Sequence, residues 1–268
     1  MIISASISID DTDGIRARAA QFDGVELSLD FVVHTVTAEL LDEIRSIGAE
    51  HGTVFSVHAP FYDLNIGSPN DGIREVSVAE THRALEVAIA VGAVNLNVHP
   101  AVKSFFPREY WPVIRAREAE TFRGLCDIAR KHDLIVTVEN LPAMPHHMPD
   151  SVDLSGQLSL YGTLNHPAFG ICLDTGHAHQ AGIEPADAVA VLGRSPGALR
   201  HVHAHDNHSR GEDEHLPIGK GTIDWPRFVA ALRSTGYDRI VVLENRPLEA
   251  QLESLESWNR LNGSSEPG

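Results

Sequence analysis

Six segments of the sequence end alike: FSVHAP, NLNVHP, VTVENLP, ICLDTGH, HVHAHDN and VVLEN each run an apolar stretch into an imidazole or a carboxylate, at His58, His99, Glu139, Asp174, His203 and Glu244. Alternate residues of a strand point to opposite faces, so each run can be tested for phase. Out of phase with the terminal residue stand Phe55, Val57, Leu96, Val98, Val136, Val138, Ile171, Leu173, Val202, Val241 and Leu243, all apolar. In phase stand Ser56, Asn97, Thr137, Gly170, Cys172, His201 and Val242, mostly small or polar. Barrel strands with a helix-covered outside and a narrow inside require this division. Parallel strands in one barrel would bring the six terminal side chains to its carboxyl-end mouth, where barrel enzymes keep their chemistry.

The rest of the chain fits that architecture. Strand patterns fall near 2–7, 24–28, 53–58, 94–99, 134–139, 169–174, 199–204 and 239–244, and helical spacing is clearest over 36–49, 73–91, 109–132, 184–193, 226–235 and 248–261. Alternating strands and helices imply a parallel sheet. At 268 residues the chain is close to the roughly 250 usual for one (β/α)8 TIM barrel. We therefore expect a single α/β domain over 1–262 and a flexible tail over 263–268. Loops after strands, at 60–72, 142–151 and 206–222, are longer than those before them, which places a pocket on one face.

Composition narrows the function. The 21 Lys and Arg against 37 Asp and Glu give a net charge of −16, which opposes the counterion release that drives nucleic-acid binding. No apolar stretch reaches the roughly 20 residues of a membrane span, and the start MIISASISIDD reads as a strand, so a cytoplasmic protein is expected. Cys126 and Cys172 read as buried apolar residues. Barrels of this size often form homodimers.

Glu139, Asp174, His203 and Glu244, on four successive strands, make a mixed oxygen and nitrogen set suited to one divalent ion such as Mn²⁺, Co²⁺, Zn²⁺ or Mg²⁺. His58, His99, His177, Asp213 and His215 could enlarge the site to as many as three ions. They could equally bind substrate or brace loops. Of the few basic residues near the mouth, Lys220 and Arg246 adjoin motif residues and are candidates to clamp a substrate, whereas Arg108 and Arg210 read as solvated loop charges. Trp225, after the cap Asp224, reads as packing.

The strand-end residues, DTGH, HAHDN and EHLPIGKGTIDW together resemble the xylose isomerase-like barrel superfamily over nearly the whole chain. Resemblance to its sugar or sugar-phosphate isomerases and epimerases implies that Glu139, Asp174, His203 and Glu244 hold one ion. It also implies that the two glutamates act as acid and base through a metal-stabilised enediolate of a polyhydroxylated carbonyl substrate. Pro145 and Arg210 depart from the tagatose 3-epimerase pattern. A keto-inositol dehydratase-like lyase would use the same cluster. Resemblance to endonuclease IV implies instead a three-zinc phosphodiesterase whose nine ligands would be His58, His99, Glu139, Asp174, His177, His203, Asp213, His215 and Glu244.

Overall fold

In the computed structural model, residues 1–209 and 211–263 are described. Eight strands close a parallel barrel in sequence order: β1 Ile2–Ser8, β2 Gly24–Ser28, β3 Val54–His58, β4 Asn95–Val98, β5 Ile135–Glu139, β6 Phe169–Asp174, β7 Leu199–Ala204 and β8 Ile240–Leu243. Helices α1 Thr12–Ala19, α2 Ala38–His51, α3 Asp71–Val91, α4 Trp111–Ala129, α5 Pro149–Val152, α6 Ser155–Leu164, α7 Thr175–Gln180, α8 Pro185–Leu192, α9 Trp225–Ser234 and α10 Leu248–Gly263 follow the strands. This is the TIM barrel expected from the phase of the strand runs. The boundaries are set by recognisable caps. Asn70 accepts from the Gly72 and Ile73 amides to start α3, and Gly52 and Gly92, at φ of 71° each, end α2 and α3 in the left-handed conformation glycine tolerates.

Helices α1, α5, α6 and α7 were not anticipated, and α10 runs to Gly263, one residue into the expected tail. Residues 264–268 lie outside the described residues. No helix among the described residues is long and apolar enough to cross a membrane.

The two faces of the sheet differ as the phase requires. Val57, Leu96, Val136, Ile171, Leu173, Val202, Val241 and Leu243 are fully buried against the helices. Inside the barrel a polar column climbs towards the mouth. Asn95 Nδ2 donates to Thr137 Oγ1 at 3.0 Å, Thr137 Oγ1 donates to Asn97 Oδ1 at 3.0 Å, and Asn97 Nδ2 donates to Glu139 Oε2. Every member is buried, and each donates to the next.

The long segment between β7 and α9 is tied by one fully buried carboxylate. Asp206 Oδ1 accepts from the amides of Asn207 (2.9 Å) and Ile223 (3.2 Å), and Oδ2 from the Gly219 amide (2.8 Å) and Trp225 Nε1 (2.8 Å). Trp225 is 3% exposed, packed edge-on to Phe228, and so is a core residue, as expected. Asp206→Ala strands four donors at once, each worth about 1–3 kcal/mol when left unpaired. The variant should lose at least ~3 kcal/mol in urea unfolding; a loss under about 1 kcal/mol would show that the loop does not depend on Asp206.

Candidate active site

The strands deliver their terminal side chains to one point. Glu139, 1% exposed at the end of β5, is its centre. Its Oε2 lies 3.4 Å from His58 Nε2 and 3.6 Å from His99 Nε2, and its Oε1 lies 3.3 Å from His177 Nδ1 and 3.4 Å from His203 Nδ1. His203 Nδ1 also lies 3.3 Å from Glu244 Oε2 and 3.9 Å from Asp174 Oδ2. Neither ring nitrogen of His203 makes a hydrogen bond of good geometry among the described residues. One ligand atom each from Glu139, Asp174, His203 and Glu244 falls within 4.8 Å of the others, as do those of His58, Glu139 and His203.

A second group adjoins the first. His177 Nε2 and His215 Nε2 each lie 3.2 Å from Asp213 Oδ2. His205 Nε2 lies 3.1 Å from Asp174 Oδ2, and its ring stacks on that of His215 at 3.9 Å and 4°. His177, His205, Asp213 and His215 again place ligand atoms within 4.8 Å. Asp174 joins the two groups, because it also caps α7, accepting the His177 amide at 2.7 Å.

The imidazoles are held in the tautomers that ligands need. Nδ1 of His58, His177 and His215 each lies 2.9 Å from a backbone carbonyl, of Ala59, Asn140 and Glu244 respectively. A carbonyl can only accept, so Nδ1 carries a proton, and Nε2 is the nitrogen turned to the carboxylates, Glu139 for His58 and Asp213 for His177 and His215. His203 is turned the other way. Its Nε2 lies 2.9 Å from Glu26 Oε1, and its Nδ1 faces the carboxylates of Glu139 and Glu244. Glu26, fully buried on β2, also takes His201 Nε2 at 2.8 Å and the Ser56 hydroxyl at 2.8 Å on Oε2.

Charge follows from these contacts. Burial is the largest single influence on Glu139, Glu244 and Glu26 and opposes their ionisation, but the imidazoles together outweigh it, His203 foremost, with His99, His215 and His201 respectively. All three carboxyls sit below the usual carboxylate range. Burial also opposes protonation of His58 and His215, yet Glu139 and Asp213 push each up to about 9. Burial prevails at His99, lowered to about 3, so that ring is neutral. A concentration of buried acids and imidazoles of this kind, with an unpartnered nitrogen aimed among carboxylates, fits a divalent cation.

The cluster floors a cleft of about 1330 Å³ lined by Ser6, Ser28, Asp30, Asn65, Phe61, Tyr62 and Arg246 among others. All nine residues singled out in the sequence meet here. Lys220 does not. Its Nζ pairs with Glu253 on α10 at 2.6 Å and it does not line the cleft, so the expectation that it binds substrate is corrected. Arg246 lines the cleft; Arg210 lies outside the described residues. Glu26 and His205 were missed. Glu26 was legible as the one acid between Val25 and Leu27 on a strand, a position that must face inward.

Comparison with known proteins bears on the family of the barrel. A ketose 3-epimerase of Arthrobacter globiformis is 29% identical over 249 residues, covering 88% of this chain and 78% of that protein. A probable endonuclease 4 of Symbiobacterium thermophilum is 28% identical over 219 residues, covering 78% and 77%. The solved structure of a D-tagatose 3-epimerase-like protein aligns at a TM-score of 0.89 and 26% identity over 98% of this chain and 97% of that one. A family model described as xylose isomerase-like TIM barrel matches residues 15–261. With a match of that extent and the barrel it describes now seen, the chain belongs to the xylose isomerase-like TIM barrel family.

Proposed function

We propose that the protein is a divalent-metal-dependent isomerase or epimerase of polyhydroxylated carbonyl compounds, with Glu139 and Glu244 as its acid and base. The observation that carries this reading is the pair of ionised carboxylates meeting at one unpartnered imidazole nitrogen, 3.4 and 3.3 Å from His203 Nδ1. Glu139, Asp174, His203 and Glu244 would hold one Mn²⁺, Co²⁺, Mg²⁺ or Zn²⁺. Such an ion, when bound, polarises a carbonyl and acidifies the adjoining C–H bond. One glutamate then takes the proton from the carbon beside the carbonyl, and the other returns it. Asn97 fixes the Glu139 carboxylate from below. His177, held by the Asn140 carbonyl, lines the cleft with its Nε2 against Asp213, and the two would together meet a substrate hydroxyl. Ser6, Ser28 and Asn65 on the cleft wall suit further hydroxyls.

The deciding experiment incubates the metal-loaded protein with D-fructose, D-tagatose, D-allulose or 6-O-glucosyl-fructose in D₂O. We expect an epimerised or isomerised product carrying deuterium at the carbon that changed. No exchange into any of these sugars, with any of the four ions, would sink the reading.

The second cluster, His177, His205, Asp213 and His215, supports an alternative multi-zinc phosphodiesterase. That reading predicts three zincs per chain and cleavage of an abasic DNA duplex, whereas a sugar enzyme with one ion cleaves none. The −16 charge and a cleft whose Lys and Arg content is Arg246 alone among the described residues favour the sugar.

Glu26 offers a further check on the ion. A carboxylate behind a metal-binding imidazole sets its orientation and basicity, and losing it typically costs 10–100-fold in metal affinity. Glu26→Gln should weaken Mn²⁺ binding by about that factor in titration calorimetry. Unchanged affinity would show that His203 needs no such support.

A further inference from the structure

The cleft is larger than a single small sugar needs, and one wall is a flight of aromatic rings. Pockets that enclose a drug-sized molecule span about 300–1,000 Å³, and this one holds about 1330 Å³. From His99, beside Glu139, the rings climb outward in near-parallel pairs. Phe61 lies on His99 at 4.1 Å and 19°, Tyr62 on Phe61 at 4.3 Å and 27°, and Phe31 on Tyr62 at 4.7 Å and 26°. Exposure rises along the flight, to 55% at Tyr62 and 80% at Phe31. Phe105, also lining the cleft, is fully exposed.

The backbone enters the left-handed region at or beside three of these rings. Phe31 itself has φ of 64°, Asp63 beside Tyr62 has 57°, and Ser104 before Phe105 has 47°. Non-glycine residues persist in that region where the surroundings over-determine them, and such residues cluster at ligand clamps. Exposed apolar patches continuous with a polar cleft mark binding sites.

The polar groups around the rings define what covers them. Arg246 is the only Lys or Arg lining the cleft among the described residues, so the outer compartment is not built for phosphates or nucleotides. Asp30, which accepts the Phe61 amide at 3.1 Å and the Ser28 hydroxyl at 3.2 Å, lies beside the rings. Aromatic faces edged by neutral and acidic hydrogen-bonding groups complement a sugar ring, which offers C–H bonds on its face and hydroxyls around its perimeter. If the carbonyl and its neighbouring hydroxyl react at the floor, the far end of that sugar points up the cleft, and a substituent there reaches the rings.

We propose that Phe61, Tyr62 and Phe31 form a subsite for a second, neutral sugar ring, so that the substrate is a glycosylated ketose and not a free monosaccharide. This rests on the sugar-enzyme reading above. The test measures, by titration calorimetry on the Mg²⁺-loaded protein, the affinity for D-fructose and for 6-O-glucosyl-fructose, in which the carbons beside the carbonyl are free. The same pair is measured on a Phe31→Ser, Tyr62→Ser double variant; both side chains are exposed, so the core is untouched. We expect the disaccharide to bind the parent protein at least about tenfold tighter, equivalent to ~1.4 kcal/mol, and the double variant to bind both sugars alike. Equal affinities in the parent, or a preference that survives in the variant, overturns the subsite alone. No binding of either sugar overturns the sugar-enzyme reading together with the subsite. If the rings instead seat a second copy of the chain, sedimentation shows a dimer that the double variant dissociates while both sugars bind alike, which also overturns the proposal.

Discussion

Glu139→Gln and Glu244→Gln should each leave a folded protein that turns over its sugar about 10²- to 10⁴-fold more slowly, the range a positioned general acid or base contributes. Each substitution keeps the shape of the side chain and one hydrogen-bond acceptor while removing the charge that takes up a proton. The losses should fall in kcat, because the proton moves in the transition state and the substrate is already bound. The two variants also separate the roles. If Glu139 removes the proton, Glu139→Gln abolishes exchange of substrate hydrogen with D₂O, whereas Glu244→Gln lets exchange run on while product formation stalls. Either variant retaining more than about a tenth of parental kcat would remove that residue from the chemistry.

Stripping the ion with a chelator should abolish turnover and lower the melting temperature together. Binding to the folded state alone contributes about 4 kcal/mol at a thousandfold excess over Kd, which for a chain of 268 residues is roughly 8–16 °C. The size of the shift should depend on pH in a definite direction. In the metal-free protein the carboxylates of Glu139 and Asp213 draw protons onto His58 and His215, both raised to about 9. A histidine whose folded-state value is raised stabilises fully below its unfolded value near 6.5, and that contribution fades as pH climbs through about 9. The stripped protein should therefore lose stability between about pH 6.5 and 9, while metal binding, which must displace those protons, strengthens over the same interval. Differential scanning calorimetry with and without metal at pH 6, 7.5 and 9 checks both trends; a shift on loading that shrinks as pH rises would contradict them.

Much of this site could be read before any coordinates because its residues end strands. A residue that terminates an alternating run declares both its face and its height in the barrel, so His58, His99, Glu139, Asp174, His203 and Glu244 converge by geometry alone. His177, Asp213 and His215 were recovered through short motifs, and the structure brings His177 to Asp174 and Glu139, Asp213 to His177, and His215 to Asp213. Glu26 escaped because it sits within β2, not at its end, and its partners Ser56 and His201 lie 30 and 175 residues away. Sequence distance hides such pairings, and only the closed sheet makes them neighbours. Lys220 shows the opposite error. Proximity to a motif along the chain says little about where four flexible carbons lead, and here they lead to Glu253. Helix α7 was overlooked because Asp174 ends a strand and caps a helix at once, leaving no loop between the two elements.

The column Asn95, Thr137, Asn97 and Glu139 gives the interior a sense of direction. An ionised carboxylate only accepts, so Asn97 must turn its amino group towards Glu139 and its oxygen towards Thr137. The Thr137 hydroxyl is thereby committed as donor upward and acceptor downward, and Asn95 must offer its own amino group. The protonation state of one side chain at the mouth is thus recorded in the orientation of amides deeper in the barrel. A chain redesigned to carry different chemistry at position 139 would inherit this polarity. A donor placed there would meet the Asn97 amino group head-on, and it could be accommodated only by reversing every link beneath it.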